Sequence, residues 1–229
     1  MRTFVSLACT MVLTAMSMVS TAHAGVVLGF APGNNCSDNQ EGTGNVTQCP
    51  YGGFIHQGYG DSAGVDVQYK DLTPYQGGGW ERSLSWWGAG YGGANGVLWS
   101  GESDANSHAS IVLKANAGHS ISLEGLGLAS YLPGVSTWLQ VHELGSNVDL
   151  LNEAVLVDGS IGTQINFNSF SSSKGWVIEW KNSSWDIGLS QLKFSVADAP
   201  NQAVPEPASL ALVGLGLAAA ALGRRRQKR

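Results

Sequence analysis

Charge is scarce in this chain. Only 13% of its 229 residues are Asp, Glu, Lys or Arg, about half the usual share. Basic residues are scarcest in the middle. Between Gly25 and Val204 they are Lys70, Arg82, Lys114, Lys174, Lys181 and Lys193, six against sixteen acids, so that stretch carries −10 where the whole chain carries −5. A single arginine over that length, with a pI near 5.4, excludes a generic nucleic-acid binder. Methionine is missing beyond Met18. Cysteine is limited to Cys9, Cys36 and Cys49, with no Cys-x-x-Cys, and the five histidines (23, 56, 108, 119, 142) show no ligand spacing; zinc motifs are thereby excluded. What is abundant is glycine (31) and tryptophan (8), with 43% hydrophobic residues. A chain that apolar, with so little net charge, folds rather than staying disordered. Its length suits one domain or two small ones.

The two ends obey a different chemistry from the middle. Residues 1–24 carry one charge, Arg2, then an apolar run from Phe4 to about Val19, then Ala22-His23-Ala24 before Gly25. A basic start, a short apolar core and small residues at the close are the pattern of a secretory signal peptide, with cleavage by signal peptidase expected between Ala24 and Gly25. An N-terminal anchor is the alternative, but the apolar core is short for a span.

The C-terminal end reads Val204-Pro205-Glu206-Pro207, then sixteen uncharged small or aliphatic residues (Ala208–Gly223), then Arg224-Arg225-Arg226-Gln227-Lys228-Arg229. Two prolines within three residues keep the backbone extended and accessible. Sixteen helical residues span about 24 Å, slightly short of a ~30 Å bilayer core, which snorkelling basic side chains can complete. The basic terminus stays cytoplasmic by the positive-inside rule, so the body lies outside the inner membrane. Together these residues resemble the PEP-CTERM sorting signal of Gram-negative bacteria. The resemblance implies processing by an exosortase, a membrane cysteine protease. It also implies transient anchoring in the inner membrane and final display at the cell surface or in an exopolysaccharide or biofilm matrix. The expected organisation is a signal peptide (1–24), a body (25–203) and a sorting signal (204–229). The sorting signal comprises its motif (204–207), a transmembrane helix (208–223) and a basic tail (224–229). A plain C-terminal anchor is the alternative.

In the body, Cys36 and Cys49 form an even pair in an exported chain and read as a disulfide. Two free thiols or a metal pair are the other readings, and no histidine cluster accompanies them. Hydrophobic residues recur with period two. Val65, Val67 and Tyr69 share one phase; so do Ile111 and Leu113; Ile121 and Leu123; Val135, Thr137, Leu139 and Val141; Trp176, Ile178 and Trp180; and Leu192, Phe194 and Val196. Gly, Asn and Ser clusters punctuate these runs. No long helix is expected before Ala208. The pattern predicts an all-β antiparallel sandwich of about eight or nine strands, as in a jelly roll. The order of segments over residues 108–196 resembles exported galactose-binding-like domains. The resemblance implies a closing strand Gly175–Lys181, a short loop, and a terminal strand Trp185–Val196 pairing near the N-terminus.

Carbohydrate is the ligand class an exported, Trp-rich sandwich suggests, because sugar C–H faces stack on aromatic rings. Trp80, Arg82, Trp86, Trp87, Tyr91 and Trp99 sit in one Gly-rich stretch and are the candidate ligand-binding residues. Trp86 and Trp87 must face opposite ways if extended, and Arg82 suits a uronate carboxylate. The bland reading is that the tryptophans fill the core. The galactose-binding-like resemblance also implies a structural calcium, for which Asp38, Glu102, Asp104 and Asn106 offer hard oxygen ligands; solvated turn residues are the alternative. Catalytic patterns fail. Gly60–Gly64 (GDSAG) is similar to a protease nucleophile loop but lies too early in the chain. His142-Glu143 lacks a second histidine four residues on, and sixteen acids select no glycosidase pair. The expectation is a non-enzymatic matrix protein that binds extracellular polysaccharide; a purely structural matrix protein and a polysaccharide-active hydrolase are the alternatives.

Overall fold

The computed structural model describes residues 24–75, 81–101 and 106–199. Among these the chain is all-β, without a helix. The leader before Ala24, Trp80, Glu102, Asp104 and the whole sorting tail lie outside the described residues. Fourteen strands follow one another. The first four are β1 (Ala24–Gly29), β2 (Cys36–Ser37), β3 (Val46–Thr47) and β4 (Phe54–Ile55). Next come β5 (Val65–Asp71), β6 (Ser85–Trp87), β7 (Val97–Trp99), β8 (His108–Ala115) and β9 (His119–Ser130). The last five are β10 (Val135–Glu143), β11 (Asp149–Val157), β12 (Thr163–Ser172), β13 (Gly175–Lys181) and β14 (Ile187–Asp198).

They form two antiparallel sheets. The larger runs β12-β9-β14-β7-β6-β4-β2-β3, with β1 also on β14, and the smaller runs β11-β10-β13-β8-β5. The period-two runs face one core shared by both sheets. Ile121, Leu126, Leu192 and Phe194 from the larger sheet meet Val67, Ile111, Leu139 and Trp180 from the smaller. This packing of two inner faces is the sandwich the alternation predicts. The expected closing strand and β13 coincide. The terminal strand starts at Ile187 rather than Trp185, and it pairs with β1 (Ala24↔Val196 to Gly29↔Gln191) as the order of segments implies. The strands exceed eight or nine because five of them are only two or three residues long.

The polar loop between Cys36 and Cys49 is closed by a disulfide with Cα atoms 4.9 Å apart. Both cysteines are buried. Inside the loop, Asn39 Oδ1 accepts from the Thr43 and Gly44 amides, so local polar contacts rather than packing shape it. Loop-closure entropy makes this bridge worth about 3 kcal/mol. Reduction, or Cys36→Ser, is expected to lower the unfolding free energy by about that amount. Urea denaturation with and without reductant measures this, and coincident curves would contradict it.

On the outer face of the smaller sheet, Glu179 stands 3.2 Å from the His108 ring. The hydrogen bond from His108 holds the Glu179 carboxyl below the usual carboxylate range, against the opposing effect of its partial burial. A depressed folded-state pKa contributes stability above the unfolded value near 4.3, lost as pH falls through the folded value. Glu179→Gln is therefore expected to flatten part of the acid limb of the stability curve, by less than about 1 kcal/mol for a partly solvated pair. Thermal melts between pH 3 and 7 measure this, and an unchanged acid limb would contradict it.

Candidate functional site

Strands β6 and β7 pair as Trp86↔Leu98 and Trp87↔Val97. Alternation sends the two adjacent tryptophans to opposite faces, as extended geometry requires. Trp86 points into the core, only 4% exposed, and its indole N–H donates to the Phe30 carbonyl at 2.7 Å. It is a packing residue and offers no ring to a ligand. Trp87 emerges on the outer face of the larger sheet. There the loop between β6 and β7 folds back, packing Tyr91 and Ala94 beside Val97 and Ala129 in a second, smaller apolar cluster. Gly96 makes that return possible. Its φ is +107°, and a Cβ there would overlap the Phe30 carbonyl, so only glycine fits.

Two distant segments complete the site. β7 lies beside β14 through Leu98↔Leu189, and β9 ends with Ser130 opposite Ile187. Both pairings bring the residues flanking β14 and β9, Trp185, Asp186 and Tyr131, up to Trp87 and Trp99. A cleft of ≈ 220 Å³ results, lined by Trp87, Tyr91, Trp99, Tyr131, Trp185 and Asp186. Trp87 and Trp99 meet edge to face at 6.4 Å, and Trp99 and Trp185 at 4.7 Å with planes 86° apart. Tyr51, 62% exposed, extends the surface from the other side of Trp87 at 4.9 Å.

The loop that carries Trp185 is held from several sides. Ser100 N–H donates to the Ser184 carbonyl at 3.0 Å, and the two serine hydroxyls are 2.8 Å apart and buried. Tyr91 O–H donates to the Trp185 carbonyl at 2.6 Å. Tyr131 N–H donates to the Asp186 carbonyl at 2.8 Å. Asn182 adopts φ +71° to make the turn, a conformation asparagine tolerates. Trp185 (37% exposed) and Tyr131 (56%) remain open to solvent on this fixed frame. The Trp99 indole N–H is buried with no hydrogen-bond partner among the described residues. Such a donor is rare in a folded protein.

The Gly-rich stretch thus supplies Trp87, Tyr91 and Trp99 to one cleft. Trp80 lies outside the described residues. Arg82 is elsewhere, its guanidinium 4.4 Å over the Tyr75 ring and its backbone bridged to Asp71 at the end of β5. Tyr75 donates to Asp71 at 2.5 Å, and burial together with that carboxylate pushes the phenol up to about 12. Of the calcium candidates, Glu102 and Asp104 lie outside the described residues. Both Asp38 oxygens accept from Asn45, at 2.8 and 2.9 Å, which lowers the carboxyl pKa. Asn106 sits in a turn with φ +68°. No group of three or more His, Cys, Asp or Glu that could hold a metal occurs among the described residues. Trp185, Tyr131 and Asp186 were not legible as site residues. The one signal was an aromatic in the polar loop Asn182–Trp185, out of phase with Trp176, Ile178 and Trp180.

The model for the PEP-CTERM protein-sorting motif matches residues 203–227. It begins one residue before the Val-Pro-Glu-Pro sequence and runs through the apolar stretch into the basic cluster. No curated protein and no solved structure matches this chain. The chain therefore carries a PEP-CTERM sorting tail and is an exosortase substrate, exported and anchored in the membrane before processing.

Proposed function

We propose that this protein is a non-catalytic carbohydrate-binding module of the Gram-negative cell surface or exopolysaccharide matrix, built on a galactose-binding-like sandwich. The observation that carries the reading is the convergence of Trp87, Trp99 and Trp185 from three chain segments on one solvent-open cleft. Aromatic faces offer sugar C–H groups an apolar, electron-rich surface. Packing large aromatic rings where they stay partly wet forgoes core stabilisation, which favours a recognition role. At ≈ 220 Å³ the cleft is below the ~300–1,000 Å³ typical for drug-sized ligands, so it suits one ring-sized unit, a chain end or a branch. Among the described residues, Asp186 is the one carboxyl-bearing residue lining it, while glycosidases use a pair. The position of Arg82 away from the cleft moves the reading from uronates toward neutral sugars.

A glycan array probed with the exported body tests this. Trp99→Ala and Trp185→Ala are each expected to weaken the wild-type signal about tenfold or more, the loss of a stacking surface worth ~1.4 kcal/mol. Arg82→Ala is expected to leave it unchanged. No glycan-dependent signal from the wild type would favour a purely structural matrix protein instead.

A further inference from the structure

We propose that the aromatic cleft is carried at the membrane-distal pole of the molecule, opposite the pole from which the sorting tail leaves. The argument rests on the course of β14. Trp185 and Asp186 immediately precede its first residue, Ile187. Trp99 and Tyr131 sit beside that same end through Leu98↔Leu189 and Ser130↔Ile187. The strand then runs through the larger sheet to Asp198, opposite His119, with register shifts between Leu189 and Gln191 and between Lys193 and Phe194. At ~3.3 Å per residue the eleven steps from Ile187 to Asp198 cover about 36 Å. Ala199 is still tied down, its N–H donating to the Gly118 carbonyl at 2.7 Å. The described chain therefore ends at the far pole, and it begins there as well, because Ala24 pairs with Val196.

Covalent length does the rest. From Ala199 to Val204 the chain can reach at most about 18 Å, and from Ala199 to Ala208, the start of the apolar stretch, at most about 32 Å. The root-mean-square reach of nine residues is nearer ~17 Å. Both are shorter than the distance from the tail pole to the cleft, so the anchored body cannot stand inverted with its cleft pole on the bilayer. Ligand occupancy and exosortase access to residues 204–207 are also spatially separate. The inference holds whatever the cleft binds.

Energy transfer to the membrane surface tests it on the full chain, inserted by its tail in liposomes and recovered by flotation. Cys36 and Cys49 are bonded to each other, so with Cys9→Ser in the background one introduced cysteine gives a unique label. Leu132→Cys marks the cleft pole, 45% exposed and next to Tyr131. Ala63→Cys marks the tail pole, where Ala63 is exposed, its carbonyl accepts from Asn116, and neighbouring Gly64 lies against Val196 and His119. Transfer to a headgroup acceptor dye is expected to be several-fold stronger from position 63 than from 132. Inserting a long Gly/Ser linker between Ala199 and Val204 is expected to shrink that difference. Equal transfer from both positions, or stronger transfer from 132, would overturn the proposal.

Discussion

Replacing Pro205, Glu206 and Pro207 together by alanine is expected to abolish exosortase processing, leaving a full-length precursor in the membrane fraction and none released. The motif lies within the matched sorting region, and Pro205 is six residues beyond Ala199, whose N–H donates to the Gly118 carbonyl. Two prolines remove helix as an option and hold the backbone extended, the form a protease cleft binds. Three alanines, excellent helix formers, would lift that restriction. Immunoblots of fractionated cells read the outcome directly. Unchanged release and mobility of the variant would contradict it.

Trp180→Ala is expected to be the most damaging single substitution in the body. Trp180 is 0% exposed and heads the fully buried side chains by volume. It sits on β13 between Leu139 and Ala109, and its N–H donates across the core to the Ile187 carbonyl at 2.9 Å. The bond links the smaller sheet to the first residue of β14. Removing a buried Trp costs about 3–5 kcal/mol for the lost burial and the cavity, and stranding the carbonyl adds about 1. A loss near 4–5 kcal/mol lowers the melting temperature of a body this size by roughly 10–20 °C, a large fraction of the 5–15 kcal/mol that usually holds a domain. Trp138→Ala is the control. That ring is 40% exposed and bonded only to the exposed Asn152, so its loss is expected to cost less than about 1 kcal/mol. Urea midpoints of the two variants measure the difference, and a costlier Trp138 would contradict the placement of the core.

Much of the fold was legible where burial is one-sided. In β5, Val65, Val67 and Tyr69 are buried and Asp66, Gln68 and Lys70 are not, as period two demands. The same logic located β9, β10 and β13. It missed β11, an edge strand with Leu150 and Leu156 exposed, because an edge needs no clean alternation to pair. It missed β12, whose TQINFNSFSS reads as polar loop until Leu126 and Leu128 of β9 give it a partner. Strands β2 to β4 are two residues each; a disulfide and cross-pairing hold them, not periodicity. The site divides in the same way. Trp87, Tyr91 and Trp99 stood close together in sequence and could be read as a group. Trp185, Asp186 and Tyr131 reach them only through the registers of β14 with β7 and β9, which a single sequence does not display. Arg82 stands near the tryptophans in sequence, but its backbone bridges to Asp71 at the end of β5 and its guanidinium lies over Tyr75.

Affinity electrophoresis through gels containing exopolysaccharide from the producing cells tests the central claim most directly. The wild-type body is expected to be retarded in proportion to polysaccharide concentration. A Trp99→Ala, Trp185→Ala double variant, folded by its urea midpoint, is expected to run as it does in a blank gel. Equal retardation of the two proteins, or none of either, would contradict a sugar-binding role for the cleft.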